Sequence, residues 1–288
     1  MNKIKKNKLG YKYIYPKPNK EKLEAYYKKK YFKKHIAYKN KLNDVERNNL
    51  KCISVASIFM LNLKLKNLKN KNLLDLGAGQ GTFLKNISYL FNKCLGVDFS
   101  EKNFFNTKKS NIDFVSMNPG EFITKKNLKN YDVINCKNVL EHVIDPIDFM
   151  RKINKNIKNN AYLILTVPND FSNLQKETNK IVKKKKYWIA PPEHLNYFNK
   201  QTFLNFSKKM GFKVLDGISD FPIELFLLKE EFDYTKNPKI GKIIYLLKCE
   251  FMSYLQKKAP IEDIYELLKI FYKLNIGRDN IFLLKKNN

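Results

Sequence analysis

Three of the chain's ten glycines fall within five residues. Residues 73–81 read LLDLGAGQG, and Gly77, Gly79 and Gly81 stand where an apolar run stops and a helical spacing of apolar residues begins. That is the sequence form of a buried strand turning sharply into a helix, because glycine alone enters left-handed backbone without strain. The same alternation continues downstream. Apolar runs at 72–76, 94–99, 114–115, 132–136 and 162–167 read as strands. Between them, Phe83, Leu84, Ile87, Leu90 and Phe91 fall on one helical face, Ser100 offers a cap, and Asp145, Pro146 and Asp148 form a strong helix start. Alternating strand and helix predicts an α/β fold, a parallel sheet covered by helices on both faces.

Around this unit the pattern is less regular. Residues 1–18 are basic and end in Pro16 and Pro18, which predicts an extended arm. Asn19 can cap a helix whose apolar face is Leu23, Tyr27 and Tyr31, and a second helix over 44–63 would bury Ile53, Ala56, Met60 and Leu63. After residue 168 the alternation pauses. A helix capped near Asn199 and ended by Gly211 leads to a sixth strand at 212–215. A long helical stretch over 224–274 precedes the last strand at 281–284. The organisation expected is an N-terminal arm with helices over 1–70, then one domain over 71–288 with insertions near 169–198 and 221–276.

Hydrophobic residues are 43% and aromatics 14% of the chain, which excludes a disordered composition. The net charge of +29 raises a nucleic-acid partner. The lysines are dispersed instead of forming one stripe, however, which reads as a solvated face on a lysine- and asparagine-rich background. Cys52, Cys94, Cys136 and Cys249 contain no C-x-x-C pair, so neither a zinc site nor a disulfide framework is suggested, and a reducing, cytoplasmic location is expected. No apolar signal core follows the charged N-terminus, and the longest nearly apolar run, 52–63, is too short to span a bilayer.

The chemistry sits in three elements. The glycine turn reads D-x-G-x-G-x-G, with Asp75 two residues before Gly77. A dinucleotide turn, G-x-G-x-x-G, would need glycine at position 82, where Thr82 stands. Asp98 closes the second strand about twenty residues on, where an acid accepts hydrogen bonds from ribose hydroxyls. After the fourth strand comes NVLEHVIDP, Asn138 to Pro146. Together these resemble the Rossmann-like methyltransferases that use S-adenosylmethionine (SAM). NVLEHVIDP is similar to the motif of the group holding the ubiquinone-type O-methyltransferases and many sugar methyltransferases.

That resemblance implies a seven-stranded, mostly parallel sheet whose last strand is antiparallel and lies beside the fifth. It also implies SAM held at its methionine part by Gly77, Ala78, Gly79 and Gly81, with Asp75 either orienting that loop or reaching the ligand's ammonium group. Asp98 would hold the ribose, Phe99 would pack on the adenine, Asn118 would lie at the adenine edge where relatives carry an acid, and Asn138 would line the site. Some quinone O-methyltransferases place a carboxylate at the position of Asn138 and a Glu-His pair like Glu141-His142 around a metal. A neutral amide is a poor partner for a divalent cation, so no metal is expected.

His194, in APPEHLNYF (190–198), has two readings: a base for an acceptor hydroxyl, or a residue pinning the acceptor lid. Glu193 is a weaker candidate. Tyr26, Tyr27 and Tyr31 form either a lid or a docking face, His35 reads as exposed, and Arg278 either closes a turn or meets a substrate anion. The expected reaction is methyl transfer from SAM to a small-molecule acceptor, foremost an oxygen of a sugar or glycan precursor. An RNA methyltransferase rests on the charge alone; no N/D-P-P-Y motif is present, residues 135–138 reading NCKN. A SAM-binding protein without turnover is the third reading.

Overall fold

The parallel sheet forms because its strands are apolar on both faces. In the computed structural model, which describes residues 3–26, 42–99, 110–126 and 128–287, neighbouring strand residues enter opposite cores. Leu73, Ile164, Ile281 and Leu283 pack in one core. Leu74, Leu163, Leu165, Phe282 and Leu284 pack in the other. This is the period-two pattern of a sheet buried on both sides.

The elements run β1 (Lys3–Lys6), β2 (Lys12–Tyr15), α1 (Lys20–Tyr26), α2 (Asp44–Asn62), β3 (Asn72–Leu76), α3 (Thr82–Ile87), β4 (Lys93–Asp98), β5 (Ile112–Ser116), α4 (Pro119–Lys125) and β6 (Val133–Lys137). They continue α5 (Pro146–Asn156), β7 (Tyr162–Pro168), α6 (Asn173–Ile181), β8 (Asn196–Tyr197), α7 (Lys200–Lys209), β9 (Phe212–Ser219), α8 (Pro238–Lys258), α9 (Ile261–Leu274) and β10 (Asp279–Lys286). The large sheet has order β5-β4-β3-β6-β7-β10-β9. β10 is antiparallel to both of its neighbours, while β3, β4, β5, β6 and β7 pair in parallel. This is the seven-stranded topology expected, with the last strand beside the fifth. Asp145 caps α5 by accepting from the N–H groups of Ile147 and Asp148, with Pro146 in the first turn. Asn199 caps α7 in the same way through Thr202 N–H.

Three expectations are corrected. The basic N-terminus is not an extended arm. β1 and β2 form an antiparallel hairpin, and β2 pairs with β8 into a small three-stranded sheet. The reason is non-local: the open edge of β2 takes its partner about 180 residues away, which no local pattern announces. The stretch 224–274 is not one helix. Two short 3-10 turns open it, and Pro260, which cannot donate a helical hydrogen bond, separates α8 from α9. Leu63 ends α2 exposed instead of buried. Tyr27, Tyr31, His35 and Ser100 lie outside the described residues. Among the described residues no helix is long and apolar enough to cross a membrane.

Candidate active site

β3 runs straight into the glycine turn at the carboxyl edge of the sheet. Gly77, Gly79 and Gly81 all have positive φ, at 78°, 55° and 72°. A Cβ on Gly77 would lie 2.3 Å from Val139 Cγ2, and one on Gly81 2.6 Å from Phe114 Cζ. Conformation and close approach therefore both require glycine at these two positions.

The turn's amides point back onto β4. Gly77 and Ala78 N–H both donate to Val97 O, at 2.8 and 3.0 Å, and Gly81 N–H donates to Ala78 O. Asp98 holds the turn as well, its Oδ2 accepting from Gly79 N–H at 2.9 Å. The loop is thus a prefolded cradle whose amides at 77–79 are already spent within the protein. Gln80 Oε1 and Asn138 Oδ1 are buried without a hydrogen-bond partner among the described residues. Two orphan acceptors, one after β3 and one after β6, fit an ammonium group. Asn138 is held in left-handed backbone at φ 53°, and its N–H donates to Thr166 O.

Asp75 does not face the loop's open side. It is register partner of Asn135 on β6, whose Nδ2 donates to Asp75 Oδ1 at 2.7 Å. Burial pushes the Asp75 carboxyl up to about 7, against the pull of Asn135. Asn118 is exposed beyond β5 and caps α4, its Oδ1 accepting Gly120 N–H at 2.8 Å. Phe99 is half-buried at the end of β4, the last described residue before 110.

The second half of the site joins two motifs that are distant in sequence. The Glu141 carbonyl accepts from Leu195 and Asn196 N–H, at 2.8 and 3.0 Å. Asn196 Nδ2 donates to Leu140 O and Val143 O. NVLEHVIDP and APPEHLNYF are thereby stitched together, and His142 and His194 meet edge to face with ring centroids 5.0 Å apart. His142 Nδ1 lies 2.7 Å from Glu193 O, which fixes it as the donor. Its Nε2 faces Glu141 Oε1 at 3.8 Å. Glu141, His142 and His194 each offer one ligand-type atom within 4.8 Å of the others. Burial pushes the Glu141 carboxyl well above the usual carboxylate range. The Glu193 carboxylate accepts from Tyr26 Oη, which ties α1 to the same place.

Arg278 is paired within the protein. Its guanidinium meets Asp170 at 3.3 Å and Glu224 at 3.4 Å, both carboxylates being buried. Gln80, Asn135 and the Asp170–Glu224 pair were not singled out in the sequence. Gln80 had a signal, since it sits inside the glycine motif.

A doubly covered sheet of order β5-β4-β3-β6-β7-β10-β9, with a glycine cradle after β3 and an acid ending β4, defines the Rossmann-like SAM-dependent methyltransferases. The methyltransferase domain family matches residues 54–216, more than half of the chain, and the chain belongs to it. SAM is its methyl donor. No curated protein is similar enough in sequence to be matched.

Solved structures share the fold. A SAM-dependent methyltransferase from Archaeoglobus fulgidus is 17% identical, with a TM-score of 0.50 over 82% of this chain and 94% of that one. Phosphoethanolamine N-methyltransferase 2 of Haemonchus contortus, in complex with S-adenosyl-L-methionine, is 14% identical, with a TM-score of 0.50 over 81% of this chain and 52% of that one. The [4+2]-cyclase SpnF is 13% identical, with a TM-score of 0.50 over 81% of each chain.

Proposed function

We propose that the chain methylates an oxygen of a small-molecule acceptor, in the manner of the ubiquinone-type and sugar methyltransferases, with His194 as the group that takes the acceptor's proton. The observation carrying this reading is the junction of NVLEHVIDP with APPEHLNYF, which sets two imidazoles 5.0 Å apart at a loop whose Val139 packs against Gly77 of the cradle. Bound SAM supplies a methyl group already activated on a sulfonium, so the protein's task is alignment and removal of one proton. The cradle and Asp98 orient the donor, and the orphan oxygens of Gln80 and Asn138 receive its ammonium. Asp75 acts behind them by bracing β3 to β6 through Asn135. Phe99 and Asn118 flank the adenine end, and the 169–198 segment and the N-terminal hairpin form the acceptor side.

Two variants test this. Calorimetry with SAM should show Asp98→Ala weakened about tenfold or more, since hydrogen bonds to a charged group contribute about 1.5–3 kcal/mol each; equal affinity removes Asp98 from the site. His194→Ala should keep SAM affinity and lose turnover by about 10²–10⁴. Unchanged turnover would make His194 a lid residue.

A further inference from the structure

The dispersed lysines of this chain have one exception. A cavity of about 230 Å³ opens between the N-terminal hairpin and the segment that follows β7. Lys5, Lys6, Lys12 and Lys186 line it, around a floor that includes Phe171 and Ile189, and no acidic side chain lines it. Some lysines elsewhere sit beside carboxylates, as Lys125 does with Glu121, Lys152 with Asp148, Lys180 with Glu177 and Lys248 with Asp220. Among the described residues none of the four cavity lysines has such a partner.

Two of the four are held in place. Lys12 Nζ stands 3.5 Å from the centre of the Phe171 ring, and Lys5 Nζ 3.5 Å from that of Tyr15. Lys186 is fixed through its backbone, in left-handed conformation, with its N–H donating to Asn179 Oδ1. Burial draws the Lys12 pKa down, and repulsion from Lys176, Lys186 and Lys6 adds to it. Like charges converging on one recess without a counter-charge are the complement of an anion.

We infer that this cavity is an anion site that receives a phosphoryl or pyrophosphoryl group carried by a small molecule. Compact, strongly hydrated ammonium groups suit phosphate oxygens, and the apolar floor suits the carbon skeleton attached to them. One small recess favours a small ligand over a nucleic-acid backbone, which would need charge along an extended track. The cavity's location also connects it to the chemistry. Phe171, Lys186 and Ile189 belong to the segment carrying His194, and β2, which holds Lys12, pairs with β8 two residues beyond that histidine. The acceptor is then a phosphorylated metabolite, such as a sugar phosphate or nucleoside diphosphate derivative, anchored by its charged end. That last step rests on the acceptor-side reading given above.

The test is calorimetry of the full chain with inorganic pyrophosphate. Lys12→Gln/Lys186→Gln is compared with Lys66→Gln/Lys69→Gln, a variant of identical net charge altered on the exposed stretch before β3. Pyrophosphate should bind wild type and the control equally, and the cavity variant at least about tenfold more weakly, the low end for losing one charge-assisted hydrogen bond. All three should bind SAM alike and melt together. No pyrophosphate binding, or equal binding by both variants, overturns the site. So does binding of a short single-stranded RNA or of phosphatidylserine vesicles, in place of pyrophosphate, with the same lysine dependence. Failure of wild type to bind SAM would count against the donor-site reading and leave the pyrophosphate result standing.

Discussion

Gly77→Ala is the sharpest perturbation of the donor site, because its cost separates into two parts. Alanine at φ 78° must occupy left-handed backbone, at about 1–2 kcal/mol. Its Cβ would also lie 2.3 Å from Val139 Cγ2, an overlap that costs about 1–3 kcal/mol when a packed site must yield. The single variant should therefore lose about 2–5 kcal/mol of unfolding free energy, read from urea midpoints. Val139→Ala removes the methyl that Cβ meets. Alone it should cost about 1 kcal/mol for a half-buried side chain. The double variant should recover the steric part and keep the backbone part together with the cost of Val139→Ala itself. The double-mutant cycle should give a favourable coupling of about 1–3 kcal/mol. Because the glycine turn and the NVLEHVIDP loop touch at this pair, SAM affinity should fall in Gly77→Ala and recover in the double variant. A coupling within about 0.5 kcal/mol of zero would refute the claim that Val139 is what excludes a side chain at position 77.

Asp75 is raised to about 7 by burial, so the folded chain holds a proton there that the unfolded chain releases near its ordinary value. Stability should then fall as pH rises from about 4 to 7, and Asp75→Asn should flatten that part of the stability–pH curve measured by denaturant titration. Arg278→Met leaves Asp170 and Glu224 buried without their cation and should destabilise by about 3–5 kcal/mol; adding Asp170→Asn and Glu224→Gln should restore much of that in the same melts. Asn135→Ala removes the Nδ2 donor to Asp75 and should weaken SAM binding through the β3–β6 brace while leaving the pyrophosphate titration unchanged. With a neutral amide at Asn138, a poor ligand for a divalent cation, turnover should survive prolonged dialysis against a chelator, and a loss restored by a divalent cation would assign the Glu141, His142 and His194 trio to a metal.

The parallel core was legible because its signals are local. Leu73–Leu76, Tyr162–Val167 and the cap at Asp145 each announce themselves within a few residues, and the glycine spacing needs only the turn it makes. The donor half of the site follows, since it hangs on the ends of those strands. What sequence did not reveal lies across long separations. Nothing near Lys12 says that its strand pairs with Tyr197. Nothing near His142 says that His194 stands beside it, although both motifs were conspicuous separately. Even within the glycine motif the direction of the amides was hidden. Whether Gly77 N–H meets a ligand or Val97 O depends on how β4 ends, and a residue pattern does not carry that.

The place of β10 sets a condition on assembly. It is the last strand in chain order, yet it lies between β7 and β9 and pairs with both. Until it arrives, the unpaired edges of those two strands flank an open slot of buried, apolar character. Between β9 and β10 lie α8 and α9, which must fold back before the slot can be filled. A long chain segment closing a central gap is slow, and an open strand edge is a template for other chains. Weakening α8 or α9 should therefore appear first as aggregation during refolding, before any change in the mature protein's affinity for its methyl donor.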